Sequence, residues 1–228
     1  MIYWQHIIYG HNQMKKIGLL IGLMISCWQV QADIALVNVW SAVPGNSQQL
    51  FINGMEAKAI HEEMGASVSI SADQDGDMHY VVSFPDWAAW GKFQDAGASN
   101  EAWQSFWQRV NNVSTAEITA TYMLDMATVA ETQPASVVYS WDVDQGKTQD
   151  FVALSQISKK MHERMGASIG ILVDELGDVH YEMTFPSWEA WGKFQKKAAS
   201  DKEWQVFYAE TLMDPTANLI KVWRLNAI

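Results

Sequence analysis

One offset relates the two halves of this chain. The heptapeptide HEEMGAS at 61–67 returns as HERMGAS at 162–168, a displacement of 101 residues. The same displacement carries Trp40 to Trp141, His79 to His180, and FPDWAAWGKFQ at 84–94 to FPSWEAWGKFQ at 185–195. It still holds, without a gap, at Trp103 and Trp204 and at Leu124 and Leu225. A repeat this long is a duplicated module, so the fold must be one that two equivalent halves can build. With 49% hydrophobic and 18% charged residues, each half has ample material for a globular core.

Local signals order the elements inside each copy. Residues 34–43 are largely β-branched or apolar and end at Pro44-Gly45-Asn46, which reads as a strand and a turn. Ser47 is placed to cap a helix over 47–64, with Leu50, Gly54, Ala57, His61 and Met64 near one face and Gly65 as its stop. Residues 66–72 alternate Ser67, Ser69 and Ser71 against Val68, Ile70 and Ala72, the pattern of a half-buried strand. The turn Asp73-Gln74-Asp75-Gly76-Asp77 then leads into a second strand over 78–84. Pro85 ends it, and Asp86, or Ser187 in the second copy, can cap the helix that follows. A further helical stretch over 101–110 and a last strand over about 117–124 complete the unit. The second copy repeats the plan with a strand at 137–143, a helix at 148–165 and Gly166 as its stop.

This order, β-α-β-β-α-β, predicts an α+β fold of two ferredoxin-like modules, each a four-stranded antiparallel sheet with helices on one face. The bare face of each sheet needs a partner, and two sheets packed face to face supply it, giving an intramolecular pseudo-dimer. The modules are expected at 33–127 and 134–228, joined by a polar linker at 128–133.

The first 32 residues read differently. Met14-Lys15-Lys16, the apolar run 17–25 and Val30-Gln31-Ala32 make a secretory signal peptide cleaved after Ala32, with Met14 as initiator and residues 1–13 as an upstream extension. The apolar run is too short to span a bilayer. A lipoprotein signal through Cys27 competes, but Met24-Ile25-Ser26-Cys27 lacks the usual leucine. The expected location is therefore the periplasm or the exterior. Cleavage removes Cys27, the sole cysteine, and with it disulfides and thiol chemistry. The formal charge of −11 becomes two units more negative, which disfavours nucleic acid as a partner.

The element order across both copies and the aromatic second helices resemble the dimeric α/β-barrel superfamily, including antibiotic-biosynthesis-monooxygenase-like and NIPSNAP-like families. The resemblance implies that the lumen between the sheets binds ligands or hosts chemistry. In the monooxygenase-like families an asparagine, a tryptophan and a histidine assist reactions on aromatic or haem substrates, and Asn38, Trp40 and His79 have those residue types. Tyr139 replaces Asn38 in the second copy, so only the first copy has all three residue types. No motif in the chain requires a cofactor.

Four histidines remain after cleavage, in two duplicated pairs. His61 and His162 close the first helix of each copy, where a partly protonated ring would suit the helix dipole and bond the terminal carbonyls. His79 and His180 fall on the less apolar row of their strand, which points them into the lumen as ligand contacts or as acid–base groups. The alternative is a half-exposed ring bonded to a carboxylate of the adjacent turn. Glu182 stands where the first copy has Val81, and a carboxylate facing an apolar lumen would hold its proton more tightly and could act as acid or base. At a barrel edge it would merely be solvated. Trp40 and Trp141, with Asn38 and Tyr139 on the same strand faces, are further candidates for the lumen. Two histidines without a third ligand do not make a metal site, and the 73–77 turn lacks the distal glutamate of a calcium loop. Nucleotide, hydrolase and zinc-protease motifs are absent. The sequence thus supports a binder of a small, largely apolar ligand, with oxygenase-type chemistry as an extension. A non-catalytic assembly or partner-binding module is the alternative: an open lumen favours the former, a filled one the latter. Intact-mass analysis of the protein from its own host should show a chain that begins at Asp33.

Overall fold

The computed structural model describes residues 34–228, so the extension and leader expected over 1–32 lie outside the described residues. The first module runs β1 (Ile34–Ala42), α1 (Ser47–Glu63), β2 (Ser67–Ala72), β3 (Met78–Phe84), α2 (Trp87–Ser99), α3 (Glu101–Asn112) and β4 (Ala116–Thr128). The second runs β5 (Ala135–Val143), α4 (Thr148–Met165), β6 (Ser168–Asp174), β7 (Val179–Phe185), α5 (Trp188–Ser200), α6 (Lys202–Thr211) and β8 (Ala217–Ala227). Among the described residues no helix is long and apolar enough to cross a membrane.

Caps and stops explain most boundaries. Asp86 and Ser187 accept hydrogen bonds from Ala89 N and Ala190 N and so begin α2 and α5. Gly65 and Gly166 take positive φ, as helix stops do. One local expectation changes. Ser47 is the first helical residue rather than the cap, and Asn46 before it makes no side-chain cap bond. The helical stretch expected over 101–110 is α3, and Asn100 and Asp201, each accepting a bond from the backbone three residues on, start α3 and α6 afresh.

The two sheets do more than face each other. They join edge to edge into one closed barrel in the order β1-β3-β2-β8-β5-β7-β6-β4. Within a module every pairing is antiparallel, and the two modules share the same registers: Val39 pairs with His79 as Ser140 pairs with His180. The seams between modules differ. β4 and β6 pair through four residues, whereas β2 and β8 pair only through Ser71 with Ala227 and Ala72 with Asn226. The connection after β4 continues along β6, where Glu131 N donates to Ser168 Oγ.

Alternation along the strands builds two kinds of interior. Outward residues pack under the helices: Met78, Tyr80, Val82 and Phe84 with Leu50, Ala57 and Phe106 in one module, and Val179, Tyr181, Met183 and Phe185 with Met165 and Phe194 in the other. Inward residues line the lumen, among them Ala35, Val37, His79, Val81, Ser136, Val138, His180 and Glu182. Trp87, at the start of the aromatic α2, is about half exposed, while Phe93 and Trp103 pack against the core. Phe185 is fully buried between β7 and α5, against Phe194. Phe185→Ala should cost about 3–5 kcal/mol, read as a lower midpoint in urea unfolding with little change in slope.

Candidate functional site

His61 and His162 do not serve the helix ends. Each ring turns inward between helix and sheet and shares a 2.9 Å hydrogen bond with a tyrosine of the sheet, His61 Nδ1 with Tyr80 Oη and His162 Nδ1 with Tyr181 Oη. Aromatic rings surround both, Phe93 and Trp103 in one copy and Phe194 and Trp204 in the other. Burial outweighs the helix dipole here, because no carboxylate is placed to compensate a charge. It pushes both imidazoles down to about 4, so they are neutral at pH 7. The same burial raises both tyrosines.

Beside His61 lies a cavity of about 610 Å³ between the sheet of the first module and helices α1, α2 and α3. Leu50, Phe106, Trp103, Trp107 and Val110 give it apolar walls, while Asn38, Asn53, Tyr80 and His61 supply convergent polar groups. Trp40 and Asn38 belong to this cavity and not to the lumen. Since Ala35 and Val37 point inward, Leu36, Asn38 and Trp40 must point outward under the helices. Trp141 and Tyr139 follow the same rule and pack on the helix side of the second module. The sequence reading therefore placed these four residues on the wrong face. Position by position the two modules differ around this space. Where the first has Asn38, Leu50, Asn53, Gly54 and Gly97, the second has Tyr139, Phe151, Leu154, Ser155 and Ala198. Phe151 and Tyr139 pack against the second core, filling with side chains what the first module leaves open.

The second cavity, about 450 Å³, is the lumen itself. His79 and His180 both line it, and each is also bonded to its turn: His79 Nε2 donates to Asp73 Oδ2 at 3.2 Å and His180 Nε2 to Asp174 Oδ2 at 3.4 Å. The two readings of these histidines thus combine, except that the rings are buried rather than half exposed. The turns are organised by the same aspartates. Asp73 Oδ1 accepts from Asp75 N and Asp77 N, and Asp174 Oδ1 from Leu176 N and Asp178 N. Burial lowers both histidines against the opposing pull of those aspartates, leaving them neutral. Ser140 Oγ donates to His180 Nδ1 at 2.7 Å, but Val39 stands at that position in the first copy, and His79 has no second side-chain partner among the described residues. Tyr122 and Trp223, equivalent by the repeat, reach across the lumen: Tyr122 meets the His180 ring at 4.9 Å and Trp223 the His79 ring at 5.5 Å.

Glu182 is half-buried in the barrel wall and borders the lumen. It lies two residues along β7 from His180, on the same face, and its Oε1 accepts from Ser136 Oγ at 3.0 Å. Burial pushes its carboxyl up, against the smaller opposing effect of Ser136. The edge position that would have left it solvated does not occur, since β7 is an interior strand between β5 and β6. Among the described residues no cluster of three or more potential metal ligands is present. The residues missed from sequence, Asn53, Gly54, Ser136 and Gly170, carry no motif. Their only signal is that the copies disagree at each of them.

No protein-family model matches the chain, and no curated protein matches it in sequence. Solved structures match its fold. A provisionally assigned monooxygenase from Fusobacterium nucleatum shares 13% identity over 86% of this chain and 93% of its own, with a TM-score of 0.59. One from Lactobacillus acidophilus shares 13% over 87% and 99%, with a TM-score of 0.57. An anthrone oxidase-like protein shares 10% over 87% and 93%, with a TM-score of 0.62. The fold is therefore that of the dimeric α/β barrels, built here from two ferredoxin-like modules in one chain.

Neutral burial of His61 and His162 predicts a pH-dependent stability. In the unfolded chain a histidine binds a proton below about 6.5, while in the fold it resists doing so down to about 4. The contribution is complete above pH 6.5 and is lost as pH falls towards 4, on the order of 3 kcal/mol for each histidine. Urea midpoints across that window should fall for the wild type, and less steeply for the double variant His61→Gln/His162→Gln.

Proposed function

We propose that this protein binds a small, planar, largely apolar molecule in the helix–sheet cavity of its first module, with Asn38, Trp40 and His61 as contacts. The observation that carries the reading is the contrast between the copies. One fold, repeated with the same registers, keeps small or polar side chains around this space in the first module and bulk in the second. A cavity of about 610 Å³ with apolar walls and a few convergent polar groups has the size and chemistry of small-molecule sites. Two polar groups have bonding capacity left for a ligand. Asn38 Oδ1 accepts from Thr121 Oγ1, leaving its amide hydrogens for the ligand, and His61, tied to Tyr80 through Nδ1, keeps Nε2. The lowered pKa makes His61 a weak base and a good neutral hydrogen-bond partner, which suits holding a ligand better than moving its protons.

The site thus moves from the lumen, where the sequence suggested it, to the opposite face of the same sheet. The alternative of an assembly module called for a lumen filled by side chains, and an open space of about 450 Å³ speaks against it. For reaction class we propose oxygen-dependent turnover of the bound molecule, on the support of solved neighbours assigned as monooxygenases or as anthrone oxidase-like. The leader read from the sequence supports a periplasmic or secreted location.

Native mass spectrometry of protein purified from its own host should show a bound small molecule, and Leu50→Phe/Asn38→Tyr, which installs the bulk of the second copy, should lose it. Retention of the bound mass in that folded variant would overturn the assignment of the cavity. Oxygen uptake on adding anthrone, present in the wild type and absent in the variant, would support the oxygenase reading, while binding without uptake would leave a binding protein.

A further inference from the structure

Three aligned positions in the lumen differ together between the modules. The first has Ala35, Ser69 and Val81, and the second has Ser136, Gly170 and Glu182. Each change serves the carboxylate. Ser136 donates to Oε1. Gly170 pairs with Glu182 across β6 and β7, and a Cβ there would lie 3.2 Å from Oε2, so glycine leaves that oxygen its room. No side chain among the described residues donates to Oε2, and the residue borders the cavity. A half-buried carboxyl in the lumen wall, with one oxygen anchored and the other without a side-chain donor, has bonding capacity that a ligand in the lumen can use.

The surroundings select what that ligand is. Val138 pairs with Glu182 on one side and with Trp223 on the other, and Val37, Val81, Leu124 and Leu225 complete apolar walls. Both lumen histidines are neutral, so no protonated ring opposes a cation. Of the two lysines that approach, Lys58 is engaged with Val68 O and Glu62, and Lys221 lies over the Trp223 ring. The whole chain carries a formal charge of −11, which favours cationic ligands over anionic ones.

We propose that the lumen is a second binding site, for a small primary amine with an apolar body, whose ammonium group is received by Glu182. The ammonium gives the carboxyl the partner it lacks, and the apolar body lies along Val138 towards Trp223. The β2–β8 seam, where only two residue pairs join the modules, borders this lumen, whose lining there includes Lys58, Ser67 and Ser69. The matching edge of β6 is covered by the connection through Ala130 and Glu131. This site does not depend on the cavity under the helices.

Calorimetric titration of the mature protein with phenethylamine and with 2-phenylethanol, its neutral isostere, tests the assignment. The amine should bind roughly tenfold or more tightly than the alcohol, as a charge-assisted bond to a half-buried carboxylate implies. Glu182→Gln, which keeps the shape of the neutral acid, should abolish that preference. Leu50→Phe, which fills the other cavity, should leave it unchanged. Equal affinity for the two probes, no detectable binding of the amine, or a preference that survives in Glu182→Gln would each overturn the proposal. A preference lost in Leu50→Phe would place the amine under the helices and overturn it as well.

Discussion

Every strand of this protein has two faces to hide, and the closure of the eight strands into one ring is what hides them. A ferredoxin-like sheet alone covers one face with helices and leaves the other to water. Here the bare faces become the wall of a lumen and the sheet edges pair across the module boundary, so burial and backbone bonding are satisfied by the same event. The histidine pairs, the tyrosines and Glu182 take their environments from this closure. Outward groups pack under aromatic helices, with an open cavity left in the first module, and inward groups look into a partly polar lumen.

That division explains which parts of the molecule could be read from sequence. The repeat, the order of elements and the inward face of β3 and β7 were all legible, because alternation and the 101-residue offset are direct signals. The row His79, Val81, Ser83 faces the lumen as its lower apolarity implies. On β1 and β5 the candidates for the lumen face the helices instead. On β1 the row of Asn38 and Trp40 is nearly equal in apolarity to that of Val37 and Val39, so the pattern does not say which row the helices cover, whereas on β5 the row Val137, Tyr139 and Trp141 is plainly more apolar than Ser136, Ser140 and Asp142 and points under the helices by the rule that orients β7. His61 and His162 were misread for another reason. A helix end viewed alone offers a dipole and free carbonyls, but the sheet places a tyrosine hydroxyl within 2.9 Å of each ring, and no local pattern reveals a contact 19 residues away.

Duplication makes the chain its own control. Features that occur twice, such as the aspartate that organises each hairpin and bonds the following histidine, are requirements of the module. Features that occur once mark where the copies have been put to different use. By that criterion the two asymmetric regions, the open space beside His61 and the carboxylate at Glu182, lie on opposite faces of the barrel wall and in opposite modules. One wall can therefore serve two chemistries without either competing for the same side chains.

The close approach at Gly54 has a consequence for anyone recombining the modules. A Cβ at that position would sit 2.5 Å from Met78 Sδ, and the second copy resolves the same contact the other way round, with Ser155 opposite the smaller Val179. Exchanging Gly54 alone makes the flexible end of Met78 move aside, and exchanging Met78 alone leaves a void, whereas exchanging both keeps the contact filled. Chimeras of the two halves should therefore be non-additive at this spot, and the unit of exchange between the modules is the contact rather than the residue.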